Sequence, residues 1–253
     1  MKILLTGSSG FIGSNLYEYL KDRYTIIGID NKEGRFREKN ELLTCELPDV
    51  DIVIHLAGLS GVRQSLDNPT EYWKQNVIVS QRIFDHYKDK RILYASSSTA
   101  KEPWRNPYAM SKYSMEQIAP PGSLGMRFTT VYGPGAKEDM LIPKILRNDV
   151  PYININHTRD FIHVEDICSA IYSLLTHNEV TAFPNATGVI DVGTGITNKL
   201  TDIIGHFGIT AEKRIGGHGE RKDNKADITT LTTHGWEPQH ELMDYIKKNR
   251  MVN

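Results

Sequence analysis

Hydrophobic positions along the chain switch between a strand-like and a helix-like period. Lys2–Thr6 is a short apolar run of the kind a buried strand carries, and it leads straight into a glycine-rich turn. From Phe11 to Leu20 the apolar positions fall at helical spacing, and Thr25–Ile29 is again apolar and β-branched, ending at Asp30. Strand, glycine turn, helix and strand within one short stretch form a βαβ unit, whose parallel strands need a crossover helix. The alternation continues with a strand predicted over 51–56, a helix over 72–87, a strand over 91–95 and a helix over 108–118 stopped by Pro120 and Pro121. A helix over 166–175 and a strand over 189–192 follow. Between 34 and 51 a third strand and its helix are reduced to little more than a loop. This pattern predicts an α/β fold with a doubly wound parallel sheet.

No long linker and no internal repeat interrupt the chain. We expect residues 1–128 to form a dinucleotide-binding domain, with returning segments near 158–195. Residues 129–157 and 196–253 would form a smaller interleaved substrate-binding lobe, with 216–225 as a loop.

Composition narrows the class. The 253 residues carry 30 Lys plus Arg against 31 Asp plus Glu, a net charge of −1, so the basic excess of a nucleic-acid binder is missing. No apolar run reaches the roughly 18 residues of a membrane span. The start, MKILLTGSSG, lacks the shape of a signal peptide. Two cysteines, Cys45 and Cys168, and no CxxC exclude a disulfide scaffold or zinc ribbon, and no metal site is expected. A cytoplasmic protein is the expectation, with no nucleic acid and no membrane as partner.

The first chemistry lies in Gly7-Ser8-Ser9-Gly10-Phe11-Ile12-Gly13. Glycines here permit a tight turn and let backbone N–H groups approach a pyrophosphate, to which the helix N-terminus adds partial positive charge. The spacing GxxGxxG is less common than GxGxxG and could be a ligand-free loop. A strand before it, a helix after it and an acid at the end of the next strand favour a dinucleotide. That acid, Asp30, suits the ribose hydroxyls of NAD and repels the 2′-phosphate of NADP, although Arg35 and Arg37 nearby keep NADP open.

The second chemistry is the pair Tyr108 and Lys112, four apart and so on one helix face. A nearby ammonium favours the phenolate, and such a tyrosine can take a proton from an alcohol while hydride leaves the same carbon. The run Ser96-Ser97-Ser98 offers a hydroxyl to hold the substrate oxygen. Each feature alone is common on solvated helices and turns; their weight lies in their order behind a dinucleotide turn.

With these residues in place the chain resembles the extended short-chain dehydrogenase/reductases, and among them the NAD-dependent nucleotide-sugar epimerase/dehydratase family. The matching stretches are TGSSGFIGSN at 6–15, IDN at 29–31, HLAG at 55–58, NPYAMSK at 106–112, MRFTTVYGP at 126–134, RDFIHVEDI at 159–167, DVGTG at 191–195 and GWEP at 235–238. The stretch 55–69 is similar to 4-epimerases of UDP-galactose and UDP-glucuronate type, 127–134 resembles members that act on UDP-uronic acids, and as a whole the chain resembles UDP-glucose/UDP-glucuronate 4-epimerases. The resemblance implies a Rossmann-like fold with bound NAD and a nucleotide-diphosphate sugar as substrate. It implies Tyr108 as base and acid, Lys112 as its partner and ribose ligand, and Ser98, third in its run, as the catalytic hydroxyl. It implies cofactor contacts at Gly7, Gly10, Phe11, Ile12, Gly13, Asp30, Asn31, Leu56, Ala57, Gly58, Tyr108 and Lys112. Ser98 and Thr130 would contact the sugar, with Arg159 and Arg221 on the diphosphate, where guanidinium geometry suits phosphate. A structural ion pair of Arg159 with Asp160 or Glu165, and a solvated Arg221, are the alternatives. Members commonly dimerise through the helices at 72–87 and 108–118.

This chain is shorter than the family pattern: nine residues separate Ser98 from Tyr108, and Lys101-Glu102-Pro103 stands where Val-Tyr-Gly is usual. The Asp-Glu pair that dehydratases carry after the catalytic hydroxyl is replaced by Thr99 and Ala100. A C4 epimerase is therefore the first expectation, a keto-sugar reductase, dehydrogenase or 4,6-dehydratase the second, and a non-catalytic NAD-binding regulator the last.

Overall fold

The structure is a computed structural model that describes residues 1–31, 41–176, 188–217 and 219–250. Arg35 and Arg37 lie outside the described residues. The chain opens with β1 (Lys2–Thr6), α1 (Phe11–Leu20), β2 (Thr25–Ile29) and β3 (Ile52–His55). Next come α2 (Val62–Asp67), α3 (Pro69–Trp73), α4 (Val79–His86), β4 (Arg91–Ser97), α5 (Pro107–Ile118) and β5 (Leu124–Phe128). The second half holds β6 (Thr130–Tyr132), α6 (Leu141–Leu146), β7 (Tyr152–Asn154), β8 (Thr158–Arg159), β9 (Phe161–His163), α7 (Val164–Thr176) and β10 (Val189–Val192). It ends with β11 (Asn198–Lys199), α8 (Leu200–His206), β12 (Glu212–Arg214), α9 (Thr229–Thr233) and α10 (Leu242–Asn249).

Six strands form one sheet in the order β10-β5-β4-β3-β1-β2, and every pairing in it is parallel. The doubly wound sheet read from the sequence is the sheet observed. Its strands are apolar nearly throughout because helices cover both faces. The alternation of β1 shows this: Ile3 and Leu5 pack with Leu16, Leu20 and Ile171 on one face. Leu4 packs with Val53, Ile83, Phe84 and Met115 on the other. A third core, around Tyr132, Ile142, Ile145, Ile153, Ile203 and Ile246, belongs to the smaller elements of the second half.

Among the described residues β2 is the sheet edge, and 41–51 is without strand. Leu42 and Val50 fill the second core instead. The Arg82 guanidinium binds the carbonyls of Leu42 and of Cys45, the latter at 2.6 Å. The helix predicted over 72–87 is observed in pieces, with a π-helical turn at Lys74–Ile78 between α3 and α4. Such turns often mark functional positions, and this one presents Asn76. The short strands β6 to β9 were not legible as period-two runs.

Candidate active site

The glycine turn is shaped by contacts that exclude side chains. Gly7 has φ +71°, and a β-carbon there would stand 2.6 Å from the Ala57 nitrogen. At Gly13 it would stand 2.1 Å from the Gly7 carbonyl oxygen, and at Gly10 3.1 Å from it. Gly10 precedes α1 without any side-chain cap, so the first N–H groups of that ten-residue helix are open toward the turn. Phe11 and Ile12 begin α1 half-buried. Asp30 is buried at the end of β2 and accepts the Ser9 N–H at 2.9 Å, tying its carboxylate to the turn. Asn31 beside it is exposed. The Ser8 hydroxyl is buried with no hydrogen-bond partner, as a group awaiting a ligand would be. Open helix N–H groups, a cradle without β-carbons, an acid at the strand end and an orphaned hydroxyl together fit NAD.

The loop Leu56, Ala57 and Gly58 closes the other side. A directed chain of hydrogen bonds fixes it: Ser80 donates to the Asn76 carbonyl at 2.7 Å, and His55 Nε2 lies 2.9 Å from the Ser80 oxygen. Thr6 lies 2.6 Å from His55 Nδ1 and accepts the Ala57 N–H at 3.2 Å. The chain is self-consistent for a neutral imidazole, and burial, then the charge of Lys112, pushes the His55 pKa down to about 3. Asn76 holds the same loop directly, accepting the Leu59 N–H at 2.7 Å and donating to the Leu59 carbonyl at 3.0 Å. It also donates to Ser111 of α5 at 2.9 Å. Sequence reasoning passed over both His55 and Asn76; no spacing rule marks them, because their role depends on partners far along the chain.

Tyr108 and Lys112 project from α5 toward the end of β4. Lys112 is buried, donates to the Ala95 carbonyl at 2.8 Å, and lies 3.3 Å from where a β-carbon on Gly58 would be. Burial lowers its pKa to about 8, with Glu116 opposing. Tyr108 is half-buried; burial raises its pKa, and a hydrogen bond from Ser97 pulls it back. Of the serine run it is Ser97 that acts on the Tyr108 pKa, and its oxygen also accepts the Thr99 N–H at 3.2 Å and the Thr99 hydroxyl at 2.9 Å. Ser98, named from its place in the run, starts a 3-10 turn just after β4 ends, and its carbonyl accepts from Arg221 at 2.5 Å. Ser96 binds Glu116, whose carboxylate takes two hydrogen bonds from Arg127, at 2.8 and 2.6 Å.

The second half adds a cationic wall. Arg221 donates to Glu102 at 2.8 Å, and Arg105 binds the same carboxylate. Burial would raise the Glu102 pKa, but hydrogen bonds and charge from Arg105 and Arg221 outweigh it and hold the carboxyl below its usual range. Arg159 donates to the carbonyls of Thr158 and Lys222, at 2.7 and 3.1 Å, and lies 3.0 Å from His157 Nδ1. Burial lowers its pKa, Glu220 opposing and Arg221 adding to the effect. Arg159 does not pair with Asp160: that buried carboxylate accepts the N–H groups of Thr194, Gly195 and Ala226 at 2.9, 2.9 and 3.0 Å. Thr130 accepts from Asn224 at 3.0 Å.

Among the described residues one group of potential metal ligands, His163, Glu165 and His240, brings its donor atoms within 4.8 Å. The two imidazoles stack at 4.2 Å and 23°, so their in-plane lone pairs run side by side and do not converge. His240 Nδ1 already lies 2.9 Å from Asp166, which places the group in the docking of the C-terminal segment. No helix among the described residues is long and apolar enough to cross a membrane.

Comparison with known proteins agrees with this geometry. The model of the NAD dependent epimerase/dehydratase family matches residues 3–186. A putative UDP-glucose 4-epimerase of Methanocaldococcus jannaschii is 29% identical, covering 99% of this chain and 97% of that protein. That alignment spans 314 positions against 253 residues here, so the shortening falls within the shared sequence. Protein CapI of Staphylococcus aureus is 31% identical over 69% of each chain. Among solved structures, the UDP-glucuronic acid 4-epimerase from Bacillus cereus, in complex with UDP-glucuronic acid and NAD, superposes with a TM-score of 0.82. It is 26% identical and covers 98% of each chain.

Proposed function

The chain belongs to the NAD dependent epimerase/dehydratase family, and we propose that it inverts C4 of a nucleotide-diphosphate sugar through a transient 4-keto sugar. The observation that carries this reading is Tyr108 and Lys112 together on α5, with Lys112 buried on the Ala95 carbonyl and beside the Gly58 loop. When bound, NAD supplies a hydride acceptor and, while oxidised, a positive charge that favours a nearby phenolate.

In this reading Tyr108 takes the proton of the sugar 4-hydroxyl and later returns it. The Ser97 hydroxyl orients the same oxygen, and Lys112 holds positive charge beside the tyrosine. The glycine turn, Asp30 with Asn31, and Leu56 to Gly58 hold the cofactor. Thr130 lies on the sugar side and Arg159 and Arg221 on the diphosphate side. In this reading the large sheet, with α7 and β10 returning to it, serves the cofactor, and the sugar nucleotide lies between it and the second-half elements that carry Thr130, Arg159 and Arg221.

Elimination would need a carboxylic acid close to the reacting carbon. Two carboxylates bonded around the serine run are held by guanidinium groups, Glu116 by Arg127 and Glu102 by Arg105 and Arg221. Neither is a free proton donor, which favours epimerisation over dehydration.

Large apolar side chains are exposed at Trp73 and Ile78 and, on α5, at Met110, Tyr113 and Ile118. We read this as the face for a second copy of the chain, to be tested by light scattering of the Trp73→Glu variant. The unpaired thiols Cys45 and Cys168 fit a reducing compartment such as the cytoplasm.

The test is a panel of UDP-, dTDP-, GDP- and CDP-sugars with products read by NMR and mass. The product should keep the mass of the substrate with C4 inverted, and no steady growth or loss of NADH absorbance should accompany it. Loss of water would establish a dehydratase, and stoichiometric NADH change a reductase or dehydrogenase. NAD binding with no turnover of any sugar nucleotide would establish a regulator.

A further inference from the structure

Asn106, two residues ahead of Tyr108, is buried and uses both ends of its side-chain amide. Its Oδ1 accepts the Ala109 N–H at 2.8 Å and so caps α5. Its Nδ2 donates at 2.8 Å to the carbonyl of Gly219, far along the chain.

Gly219 begins a strap of three residues, each of which grips a different element beside the large sheet. Gly219 holds the cap of α5. Glu220 accepts from Arg63 of α2 at 3.0 Å and from Asn154 of β7 at 2.9 Å. Arg221 donates to Glu102 at 2.8 Å and to the Ser98 carbonyl at 2.5 Å. A cavity of about 330 Å³ lined by Arg63, Tyr152, Asn154, Arg214 and Glu220 opens beside it. The strap therefore joins α2, β7 and the turn after β4, and the Asn106 amide ties it to the helix that carries Tyr108 and Lys112.

We infer that Asn106 is a positioning residue that couples the seating of the Gly219–Arg221 strap to the N-terminus of the catalytic helix. The side-chain amide is a rigid plane, so fixing Nδ2 on the strap orients Oδ1 on the helix. If the strap lifts, a buried donor loses its partner and the cap loses its brace. A sugar nucleotide that draws the Arg221 guanidinium onto its diphosphate thereby seats the strap and firms the helix turn from which Tyr108 projects. This rests on the nucleotide-sugar reading above.

Asn106→Ser and Asn106→Asp both retain a capping oxygen and lack the amide donor, whereas Asn106→Ala loses both. The two cap-competent variants should fold and bind NAD as the wild type does. Hydrogen exchange of the Glu220 and Arg221 amides should quicken on the order of tenfold in both, without substrate. KM for the sugar nucleotide should rise on the same order, with kcat changed less. From the other end, Arg63→Leu removes one of the two side chains that donate to Glu220, Asn154 being the other, and leaves Asn106 intact; exchange at the Ala109 amide should quicken. Unchanged strap exchange and KM in both the Ser and Asp variants, or an unaltered Ala109 amide in Arg63→Leu, would overturn the coupling. The exchange measurements need no turnover, so a wild type inactive on every sugar nucleotide would overturn the proposed function and leave the coupling still decided by exchange.

Discussion

Gly13 packs against Gly7 so closely that a β-carbon at position 13 would stand 2.1 Å from the Gly7 carbonyl oxygen. That oxygen also accepts the Gly10 N–H at 3.0 Å, so it cannot retreat without breaking the turn. Gly13→Ala should therefore destabilise by about 1–3 kcal/mol or more, as overpacking does, and weaken NAD binding. Gly10→Ala, with its contact at 3.1 Å, should be milder. Thermal unfolding with and without NAD checks both; a Gly13→Ala protein of wild-type stability would contradict the packing.

Tyr108→Phe should lose turnover by on the order of 10²–10⁴ while still binding NAD and sugar nucleotide, since it removes only the hydroxyl proposed to transfer the proton. Initial rates beside NAD titration decide it, and a fully active variant would remove Tyr108 from the chemistry.

Lys112 gives the cofactor-free protein a defined pH signature. Its pKa is lowered from 10.5 to about 8 by burial. Between those values the unfolded chain binds a proton that the folded chain releases, so this residue's contribution to stability rises with pH. Below pH 8 both states are protonated and the unfavourable contribution is complete; above 10.5 both are neutral and it is gone. The stability of the wild type relative to Lys112→Met should thus improve from pH 8 to 10.5, by at most about 1.4 kcal/mol per pH unit. Denaturant melts of both proteins at pH 7, 8.5 and 10 measure it, and a constant difference would contradict the assignment.

The sheet was legible because buried parallel strands write themselves as apolar runs, and β1, α1, β2 and β10 fall on the ranges read from the sequence. The glycine turn, Asp30, Tyr108 and Lys112 were legible because their chemistry is local: a turn needs glycine at fixed offsets, and a helix face needs a four-residue spacing. What stayed hidden depends on distant partners. Nothing near His55 in sequence announces Thr6 and Ser80, and nothing near Asn106 announces Gly219. The π-helical turn at Lys74–Ile78 keeps helical spacing closely enough that the hydrophobic pattern reads through it.

Removal of Asp30 should show two effects. The carboxylate accepts the Ser9 N–H at 2.9 Å and stands where ribose hydroxyls would be recognised. Asp30→Ala should weaken NAD on the order of tenfold, the scale of one lost hydrogen bond to a charged group. It should also narrow the preference over NADP by removing repulsion of the 2′-phosphate. Calorimetric titration with both cofactors tests this, and tighter NADP binding by the wild type would show that other charges govern the choice.

The sharpest test concerns which serine serves the tyrosine. Counting along the run favours Ser98, the third hydroxyl, but β4 ends at Ser97 and Ser98 already belongs to the following turn. The serine that pulls the Tyr108 pKa down is Ser97, while the Ser98 carbonyl is held by Arg221. A side chain can orient the sugar hydroxyl only if it reaches the same point as the tyrosine, and a backbone carbonyl survives substitution of the side chain. Ser97→Ala should therefore lower kcat by on the order of 10–10³ and raise the apparent pKa of the group acting as base. Ser98→Ala keeps its carbonyl on Arg221 and should retain most of kcat. Rate profiles of the two variants between pH 6 and 10 read both effects, and the reverse order of loss would return the catalytic hydroxyl to Ser98.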